Sequence, residues 1–329
     1  MSLRSTLRVG LAATIIGLVA ACGTSAPDPR PTSPSSTAGG FPRTVIDATG
    51  EVEIPAQPHR VAALDNSYAE AVLMLDTPLI AYTQYHNITD ALPGYLGASA
   101  KNYGAHAVSV GPIASPDLEQ LITLKPDLIV SAKVRHEKIH DKLAKIAPTV
   151  MSQTTGPTWK QNITLLAKAL GKEQLAAERM HEYEAAAKQV GDAVKAKAGA
   201  GTTISVVRFL DGPTRLYALD SFSGNVLQDA GLARPKPQDV HEFTVEISEE
   251  QIAMADADKI FTTTYGDAGN AAKSAFARNP LWTPLAPKVV QVSDEEWMTS
   301  VSVQGAYRIL ADIARAFDVP APKTPAWMA

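Results

Sequence analysis

The residues from His136 to His140 match a known metal-binding pattern. Their sequence, His-Glu-Lys-Ile-His, satisfies H-E-x-x-H, which in zinc peptidases places two imidazoles on one helix face beside a glutamate that acts as general base. A catalytic zinc also needs a third protein ligand and an open position, and no later motif supplies a third ligand. We therefore expect residues 136–140 to form part of a charged, exposed helix without a metal site, in a protein without enzyme activity. A zinc metalloenzyme that uses His136 and His140 is the alternative hypothesis.

A second group of residues could bind a ligand without catalysing a reaction. Aromatic and imidazole side chains are concentrated between Tyr82 and His106, in a chain with only 6% aromatic residues. Arg208 and Trp297 follow predicted strands, and Tyr217 follows a predicted turn. Open α/β sheets bind their ligands at strand ends, and aromatic faces with an arginine suit a large anionic molecule. The candidate ligand-binding residues are Tyr82, Tyr85, Tyr103, His106, Arg208, Tyr217 and Trp297. Each tyrosine could equally be a loop residue that packs on a neighbour.

Alternating strands and helices must position these side chains, and this alternation indicates an α/β fold with parallel sheets. A long helix is predicted near the middle of the chain, over residues 172–197, about 39 Å in length. Its buried face is predicted from apolar residues at spacings of three and four: Ala176, Met180, Tyr183, Ala187, Val190 and Val194. The pattern predicts a rigid rod between two lobes, with the first lobe at 43–158, linking helices at 159–198 and the second lobe at 199–329. One helical hairpin inside a single domain is the alternative.

Two segments, one in each predicted lobe, repeat the same helix, turn and strand. Residues 119–130 and 250–261 align without a gap, and four of the twelve positions are identical. Ser115 with Pro116 predicts the start of the first helix, and Ser248 with Gln251 predicts a capping box at the second. Glu119 and Glu250 would then lie in equivalent first turns near the solvent.

The first residues indicate where the protein works. Arg4 and Arg8 precede an apolar run too short to span a bilayer, and Val-Ala-Ala-Cys at residues 19–22 is typical of a lipoprotein signal. We therefore predict a signal peptide at 1–21, lipid on Cys22 and a disordered tether at 22–42; an ordinary signal peptide is the alternative. Removal of the signal takes the formal net charge from -4 to -6. A single cysteine excludes an internal disulfide, and no basic tract for nucleic acid is present.

An ordered series of motifs resembles the substrate-binding lipoproteins of iron-siderophore, haem and cobalamin ABC importers, the helix-linked class III proteins. The motifs that carry the resemblance are Pro58–Val61, Gly111 with 116–119 and 125–129, the long helix, 221–224 with 231–235, and 279–282 followed by Trp297. The resemblance implies two Rossmann-like lobes joined by a single rigid helix, with the ligand in a shallow cleft between them. It also implies that Glu119 and Glu250 dock on arginines of the permease, on the side away from the groove. By the same analogy Arg208 would bind acidic groups of the ligand, and Tyr82, Tyr85, Tyr103 and Trp297 would line the cleft.

The function predicted from this resemblance is capture of a ferric siderophore and its delivery to an ABC permease. The protein would be a monomer anchored to the outer face of the cytoplasmic membrane, or in the periplasm, through Cys22. It would need no cofactor, bind no nucleic acid and catalyse no reaction. Haem is the alternative ligand, with a tyrosine or histidine of the Tyr82–His106 segment bonded to iron, and cobalamin or ferric citrate is also compatible with the resemblance.

Overall fold

The computed structural model describes residues 40–86 and 88–329 of the chain. The predicted signal peptide, Cys22 and all but the last three residues of the predicted tether lie outside the described residues. Phe41 packs against Gly171, and the Arg43 guanidinium lies 4.6 Å from the Phe41 ring centre, so the packed body begins at the end of the predicted tether. Among the described residues, we find no helix with the length and apolar character that a bilayer crossing requires.

The first lobe contains a five-stranded parallel sheet that follows a short hairpin. The hairpin pairs β1 (Arg43–Ile46) with β2 (Glu51–Ile54). The sheet has the order β5-β4-β3-β6-β7. Its strands are β3 (Val61–Ala63), β4 (Leu79–Tyr82), β5 (Val108–Ser109), β6 (Leu128–Ala132) and β7 (Thr149–Ser152). Its helices are α1 (Asn66–Met74), α2 (Gly97–Tyr103), α3 (Leu118–Leu124), α4 (Lys133–His136) and α5 (His140–Ala144). Parallel strands need a crossover connection, which explains why helical segments separate them.

Two helices link the lobes. Helix α6 (Trp159–Leu170) ends at Gly171, which has a φ of 67°. Helices often end with a residue in this left-handed conformation, and glycine adopts it most easily. Helix α7 (Glu173–Ala198) is the predicted rod and ends at Gly199. Five of its six predicted face residues are buried and Met180 is partly buried, which confirms the periodicity. Gly191 allows close packing on the second lobe, because a Cβ there would lie 1.7 Å from the Ala230 carbonyl oxygen.

The second lobe repeats the strand order of the first with one reversal. Its sheet has the order β10-β9-β8-β11-β12. Its strands are β8 (Ile204–Phe209), β9 (Thr214–Tyr217), β10 (Thr244–Ile247), β11 (Lys259–Thr264) and β12 (Val289–Gln291), and its helices are α8 (Phe222–Asp229), α9 (Gly266–Arg278) and α10 (Val303–Ala316). Strand β9 is antiparallel to both neighbours. The second sheet is therefore mixed rather than parallel throughout, because the short turn after β8 can join only antiparallel strands.

The two aligned segments make equivalent hydrogen bonds in the structure. Asp127 and Asp258 occupy equivalent positions in the two aligned segments. The Asp127 carboxylate accepts the backbone N–H groups of His59 and Arg60 at 2.8 and 2.9 Å, directly before β3. The Asp258 carboxylate accepts the backbone N–H of Thr203 at 2.7 Å, directly before β8. Each aspartate therefore fixes the start of the central strand of its lobe.

The lobes also share a core. One apolar cluster contains Tyr68 of α1, Tyr183 of α7 and Tyr307 of α10, and α10 packs on both other helices. The C-terminal tail then returns to the first lobe, where the Met328 carbonyl accepts the backbone N–H of Ala98 at 3.4 Å. The lobes are therefore joined by packing along their common side as well as by α7.

Replacement of Asp127 by alanine should lower the free energy of unfolding by about 1 to 2 kcal/mol, because two backbone donors at the start of β3 lose their acceptor. Asp127→Asn, which keeps a side-chain oxygen, should lose less. Urea unfolding of the three proteins measures both effects. An alanine variant as stable as the parent would show that this aspartate does not hold the strand.

Candidate functional site

A cleft opens between the lobes at the carboxyl ends of their strands. It contains two adjoining cavities of about 270 and 480 Å³, which share Arg135, Thr155, Met298 and Val301. The smaller cavity is bordered by segments that follow β3, β4, β5, β6 and β7, together with residues that follow β12. The larger one extends toward the start of α8 and the loop before β10. This position agrees with the rule for open α/β sheets.

Arg135 is the basic side chain that borders both cavities. Its Nε donates to Asp65 Oδ2 at 2.9 Å, and Asp65 in turn caps α1 by accepting the Ser67 backbone N–H. The Arg135 side chain is 42% exposed, and its two terminal nitrogens hydrogen bond to none of the described residues. Asp65 thus orients the guanidinium and leaves its outer edge available to an anion.

Arg135 was not among the residues predicted from the sequence, although a signal was present. The residue lies three positions after buried strand β6, at the sheet edge that binds ligands, and directly before the segment that was considered for zinc. Phe243, which is 50% exposed and borders the larger cavity, was also missed, because β10 was not predicted.

Arg208 is paired with another residue. Its Nε and Nη2 donate to the two carboxylate oxygens of Asp294, each at 2.7 Å, and its Nη1 donates to the Tyr217 hydroxyl at 3.1 Å. The side chains of Arg208 and Asp294 are 12% and 13% exposed. The expectation that Arg208 binds acidic groups of a ligand does not fit this geometry, because Asp294 already neutralises the guanidinium.

Tyr217 borders the larger cavity, as expected. It is 5% exposed, and its ring packs edge to face on Phe243 with centroids 5.4 Å apart. Only a small part of Tyr217 faces the cavity, so Phe243 offers the larger aromatic surface.

Three of the other candidates are buried beside the cleft. Tyr82 and Tyr85 are each 1% exposed, and burial raises the pKa of both hydroxyls. Tyr85 donates to the Asn66 carbonyl at 3.3 Å. Trp297 is fully buried, stacks on Phe261 at 4.7 Å and donates its indole N–H to Asp312 at 2.8 Å. Trp297 nevertheless borders the larger cavity, as expected, whereas burial keeps Tyr82 and Tyr85 from lining the cleft as expected.

Tyr103 and His106 lie away from the cleft, contrary to the expectation. Burial raises the pKa of the Tyr103 hydroxyl, and the Asp76 charge next to it adds to this shift. Asp76 follows α1, at the end of the lobe opposite the carboxyl ends of the strands. His106 is exposed just before the amino end of β5. Proximity in sequence therefore did not bring these residues together with Tyr82.

One contact crosses the cleft between loops of the two lobes. His86 Nδ1 lies 3.0 Å from the Tyr265 hydroxyl, and the two rings meet edge to face at 5.0 Å. Burial and the nearby Arg208 charge lower the pKa of His86. The imidazole is therefore neutral near pH 7, and its Nδ1 can accept the hydrogen bond from Tyr265.

The H-E-x-x-H segment does not have the geometry of a zinc peptidase. Helix α4 ends at His136, a 3₁₀ turn covers Glu137–Ile139, and α5 begins at His140. His136 is buried; its Nδ1 lies 2.7 Å from Ser131 Oγ and its Nε2 lies 2.7 Å from the Ile113 carbonyl. Both ring nitrogens of His136 are therefore occupied, and in the described part of the chain no group of three or more acidic, histidine or cysteine side chains is placed to hold a metal.

The two predicted docking glutamates occupy equivalent exposed turns. Asp117 rather than Ser115 caps α3, since its carboxylate accepts the Glu119 and Gln120 N–H groups at 3.0 Å; the predicted start was two residues early. The capping box of Ser248 with Gln251 is present, which confirms that prediction, although Glu249–Ala255 is a 3₁₀ helix. Ser248 Oγ donates to Glu250 at 2.6 Å, which lowers the pKa of this carboxyl.

Both glutamates lie on the cleft side of their lobes. They follow β5 and β10, which occupy the same edge position in the two sheets. Strand β10 is antiparallel to β9 and so runs parallel to β8. The carboxyl ends of β5 and β10 therefore lie at the edges that bound the cleft. A docking face on the side away from the groove does not fit this topology.

Comparisons with known proteins agree with this architecture. A family model described as periplasmic binding protein matches residues 61–287. The chain is 35% identical over 334 residues to the "Probable siderophore-binding lipoprotein YfiY" of Bacillus subtilis, covering 95% of this chain and 97% of that relative. It is 28% identical to the "Fe(3+)-citrate-binding protein YfmC" of the same organism, covering 80% and 81%. The crystal structure of Staphylococcus aureus SirA with staphyloferrin B superposes with a TM-score of 0.75 at 26% identity, covering 85% of this chain and 99% of SirA.

Asp294→Ala should lower the free energy of unfolding by about 3 to 5 kcal/mol, because it leaves the Arg208 guanidinium buried without its counterion. Removal of both charges, in Arg208→Met with Asp294→Leu, should cost much less. Guanidinium unfolding curves of the two variants test this. Equal destabilisation by both would show that the pair does not behave as a buried ion pair.

Proposed function

Because this chain belongs to the periplasmic binding protein family, we propose that it captures a ferric siderophore outside the cytoplasmic membrane and delivers it to an ABC importer. The observation that carries the proposal is the larger cavity of the cleft, which is bordered by the partly exposed Arg135 guanidinium and by the exposed aromatic side chain of Phe243. An anionic chelate with apolar parts matches both surfaces. The relatives named for siderophore and ferric citrate binding, and SirA with its bound staphyloferrin B, support this class of ligand.

A preformed chelate also agrees with the residues that the cleft lacks. A siderophore surrounds its iron, so the protein has to recognise only the outer surface of the complex. Tyr82 and Tyr85 are buried, and Tyr103 and His106 lie outside the cleft, so His86 is the side chain among the histidines and tyrosines of residues 82–106 that borders the smaller cavity. Its Nδ1 is engaged by the Tyr265 hydroxyl, and the relatives named for siderophore and ferric citrate binding favour a ferric siderophore over haem. Binding without catalysis also agrees with His136, whose two ring nitrogens are engaged by Ser131 and Ile113.

Delivery to a permease would use Glu119 and Glu250. Each carboxylate is exposed, and the described residues give Glu250 no partner except its own cap residue Ser248. One anionic contact on each lobe suits a dimeric permease, and pairing with arginine adds orientation to attraction. Because both glutamates lie on the cleft side, docking would turn the open cleft toward the membrane and give the ligand a direct path.

Attachment to the membrane would come from lipid on Cys22, followed by a tether up to residue 42. This part of the proposal depends on the sequence pattern and on the word lipoprotein in the name of the relative from Bacillus subtilis. A monomer on the outer face of the cytoplasmic membrane, or in the periplasm, would then be confined near its permease.

Arg135→Ala should raise the Kd of an anionic ferric carboxylate chelate roughly 10- to 150-fold, since a hydrogen bond to a charged group contributes about 1.5 to 3 kcal/mol. The Kd of Arg135→Lys should lie between those of the parent and of Arg135→Ala, because lysine keeps the charge but cannot form two parallel hydrogen bonds. Tryptophan quenching titrations with ferric citrate, ferric staphyloferrin B and haem measure this. The control is Arg278→Ala, an exposed arginine at the end of α9. Binding of haem alone would contradict the proposal, and an unchanged Kd would remove Arg135 from the site.

Glu119→Ala combined with Glu250→Ala should abolish uptake of the ferric chelate by cells and leave its Kd unchanged. Charge complementarity sets the orientation of docking, whereas these carboxylates do not line the cleft cavities. Glu249→Ala is the matched control, since this exposed acid lies in the same turn as Glu250. Normal transport by the double variant would show that docking uses other residues.

A further inference from the structure

Glu70 is a carboxyl group buried between the two lobes. It lies in the middle of α1 and has no exposed surface. One carboxylate oxygen accepts the Tyr95 hydroxyl at 2.7 Å. The other accepts the hydroxyls of Ser300, at 2.6 Å, and Ser302, both in the second lobe. Gln304 of α10 also donates its side-chain N–H to the Glu70 backbone carbonyl at 3.0 Å. Three of these four bonds therefore cross from one lobe to the other.

Stability does not account for this carboxyl group. Transfer of a charge from water into a protein interior is unfavourable, and apolar residues of similar volume are often as stabilising as a buried polar network. Burial raises the pKa of Glu70 to about 7, although the hydroxyls of Ser300, Ser302 and Tyr95 act in the opposite direction. The role of this carboxyl group is therefore better explained by the segments whose relative position its hydrogen bonds fix than by a contribution to stability.

The surroundings of Glu70 contain few other charges. Asp65 at the start of α1 is the one charged residue that contributes to the shift in its pKa, and Tyr85 and Tyr95 are the neighbouring titratable hydroxyls. The first residues of α10, Val303 to Ala306, are uncharged. The buried residues of α2 and α6, and strands β3 and β4, are also uncharged. Glu295 and Glu296, in the turn before Ser300, are acids whose pKa burial also raises, but the described contacts give neither a hydrogen bond across the lobes, as Glu70 has.

The bonds of Glu70 lead directly to the walls of the cleft. In the second lobe, Met298, Thr299 and Val301 border the cavities and flank Ser300 in sequence. Ser302 caps α10, and Gly305 leaves room for Ser300, since a Cβ at that position would lie 2.1 Å from Ser300 Oγ.

The opposite wall of the smaller cavity includes the start of the helix that carries Glu70. Asn66, which borders the smaller cavity, lies four residues before Glu70 in α1. Side chains four residues apart in a helix lie on the same face. Glu70 therefore belongs to the helix that borders one side of the smaller cavity, and its carboxylate is hydrogen bonded to the segment that borders the other side.

We propose that Glu70 is a positioning residue for ligand binding, whose ionised carboxylate ties residues 298–302 of the second lobe to α1 and so sets the width of the cleft. The inference rests on the proposed function, because it concerns the affinity for a ferric chelate. The ionised carboxylate can accept all three hydroxyl bonds. A protonated carboxyl group donates with one oxygen, so one of the three hydroxyls must turn away or accept instead.

Protonation should therefore affect affinity and stability in opposite directions. The pKa of Glu70 is raised from 4.5 to about 7 on folding, so the folded state binds the proton more tightly than the unfolded state does. The contribution of this group to stability is greatest below its unfolded pKa and is lost as the pH rises toward 7. The bonded clamp, in contrast, is complete only above pH 7. A residue that acted only through stability would change affinity in the same direction as stability.

Glu70→Gln is the central variant, because glutamine has the shape of the protonated acid and does not titrate. We expect its Kd for the ferric chelate bound by the parent protein to be roughly tenfold higher than that of the parent at pH 8, the equivalent of about one hydrogen bond. At pH 5.5 the two Kd values should agree within a factor of about two, because the parent is then protonated as well. Equal Kd values at pH 8, or the same loss at both pH values, would overturn the proposal.

Ser300→Ala with Ser302→Ala removes the clamp from the other lobe and should raise the Kd at pH 8 by a similar factor. The control for simple destabilisation of α1 is Val72→Ala. Val72 is fully buried and lies roughly 200° around the helix from Glu70. It should lower the melting temperature and leave the Kd within about twofold of the parent. An equal loss of affinity in Val72→Ala would assign the effect to α1 stability and contradict positioning.

Hydrogen exchange tests the clamp without any ligand. Backbone amides of residues 298–302 should exchange faster in Glu70→Gln than in the parent at pH 8, and unchanged exchange would overturn the proposal. If the parent protein binds no ferric chelate, the proposed function fails, and exchange still decides whether the clamp exists. If the parent binds and the Glu70 and serine variants bind equally well, the function stands and the positioning role fails.

Discussion

The apolar contact of α10 with α1 and α7 is the constraint on which the rest of the structure depends. Tyr68, Tyr183 and Tyr307 belong to one buried cluster that extends from the first lobe through the linking helices to the second. Burial of apolar surface contributes about 25 cal/mol per Å², so large movement of the lobes would expose much of what stabilises them. The cleft is therefore a preformed groove with limited capacity to close. An unbroken α7 opposes bending in the same direction.

Electrostatics in the cleft depends on how each arginine is paired. Arg208 donates hydrogen bonds to both carboxylate oxygens of Asp294 and to the Tyr217 hydroxyl. Its charge is therefore neutralised by a residue of its own lobe. Arg135 is bonded to Asp65 through Nε alone and is 42% exposed. Because Arg135 is partly exposed and has N–H groups that pair with none of the described residues, it can exchange bound water for an anionic ligand at a low cost in free energy. Both arginines follow strand ends, but pairing decides which of them is available, and the sequence pattern indicated only Arg208.

A buried carboxylate in an apolar interface adds direction to contacts that have none. Hydrophobic packing alone tolerates small sliding of one lobe on the other, whereas three hydroxyl bonds to Glu70 are satisfied in one arrangement. The two interactions are complementary, because the core supplies the free energy and the clamp specifies the relative position of the cleft walls.

The sequence by itself determined the features that depend on local periodicity and turn chemistry. The spacing of Ala187, Val190 and Val194 predicted the long helix, and the gap-free alignment of residues 119–130 with 250–261 predicted the repeated unit. Only the tertiary structure decided which side chains meet. Tyr103 and His106 are close to Tyr82 in sequence but lie at the other end of the lobe, since each helical crossover reverses the chain direction. Burial of Tyr82, pairing of Arg208 and exposure of Arg135 each depend on residues far away in the chain, and such contacts leave no periodic pattern in sequence.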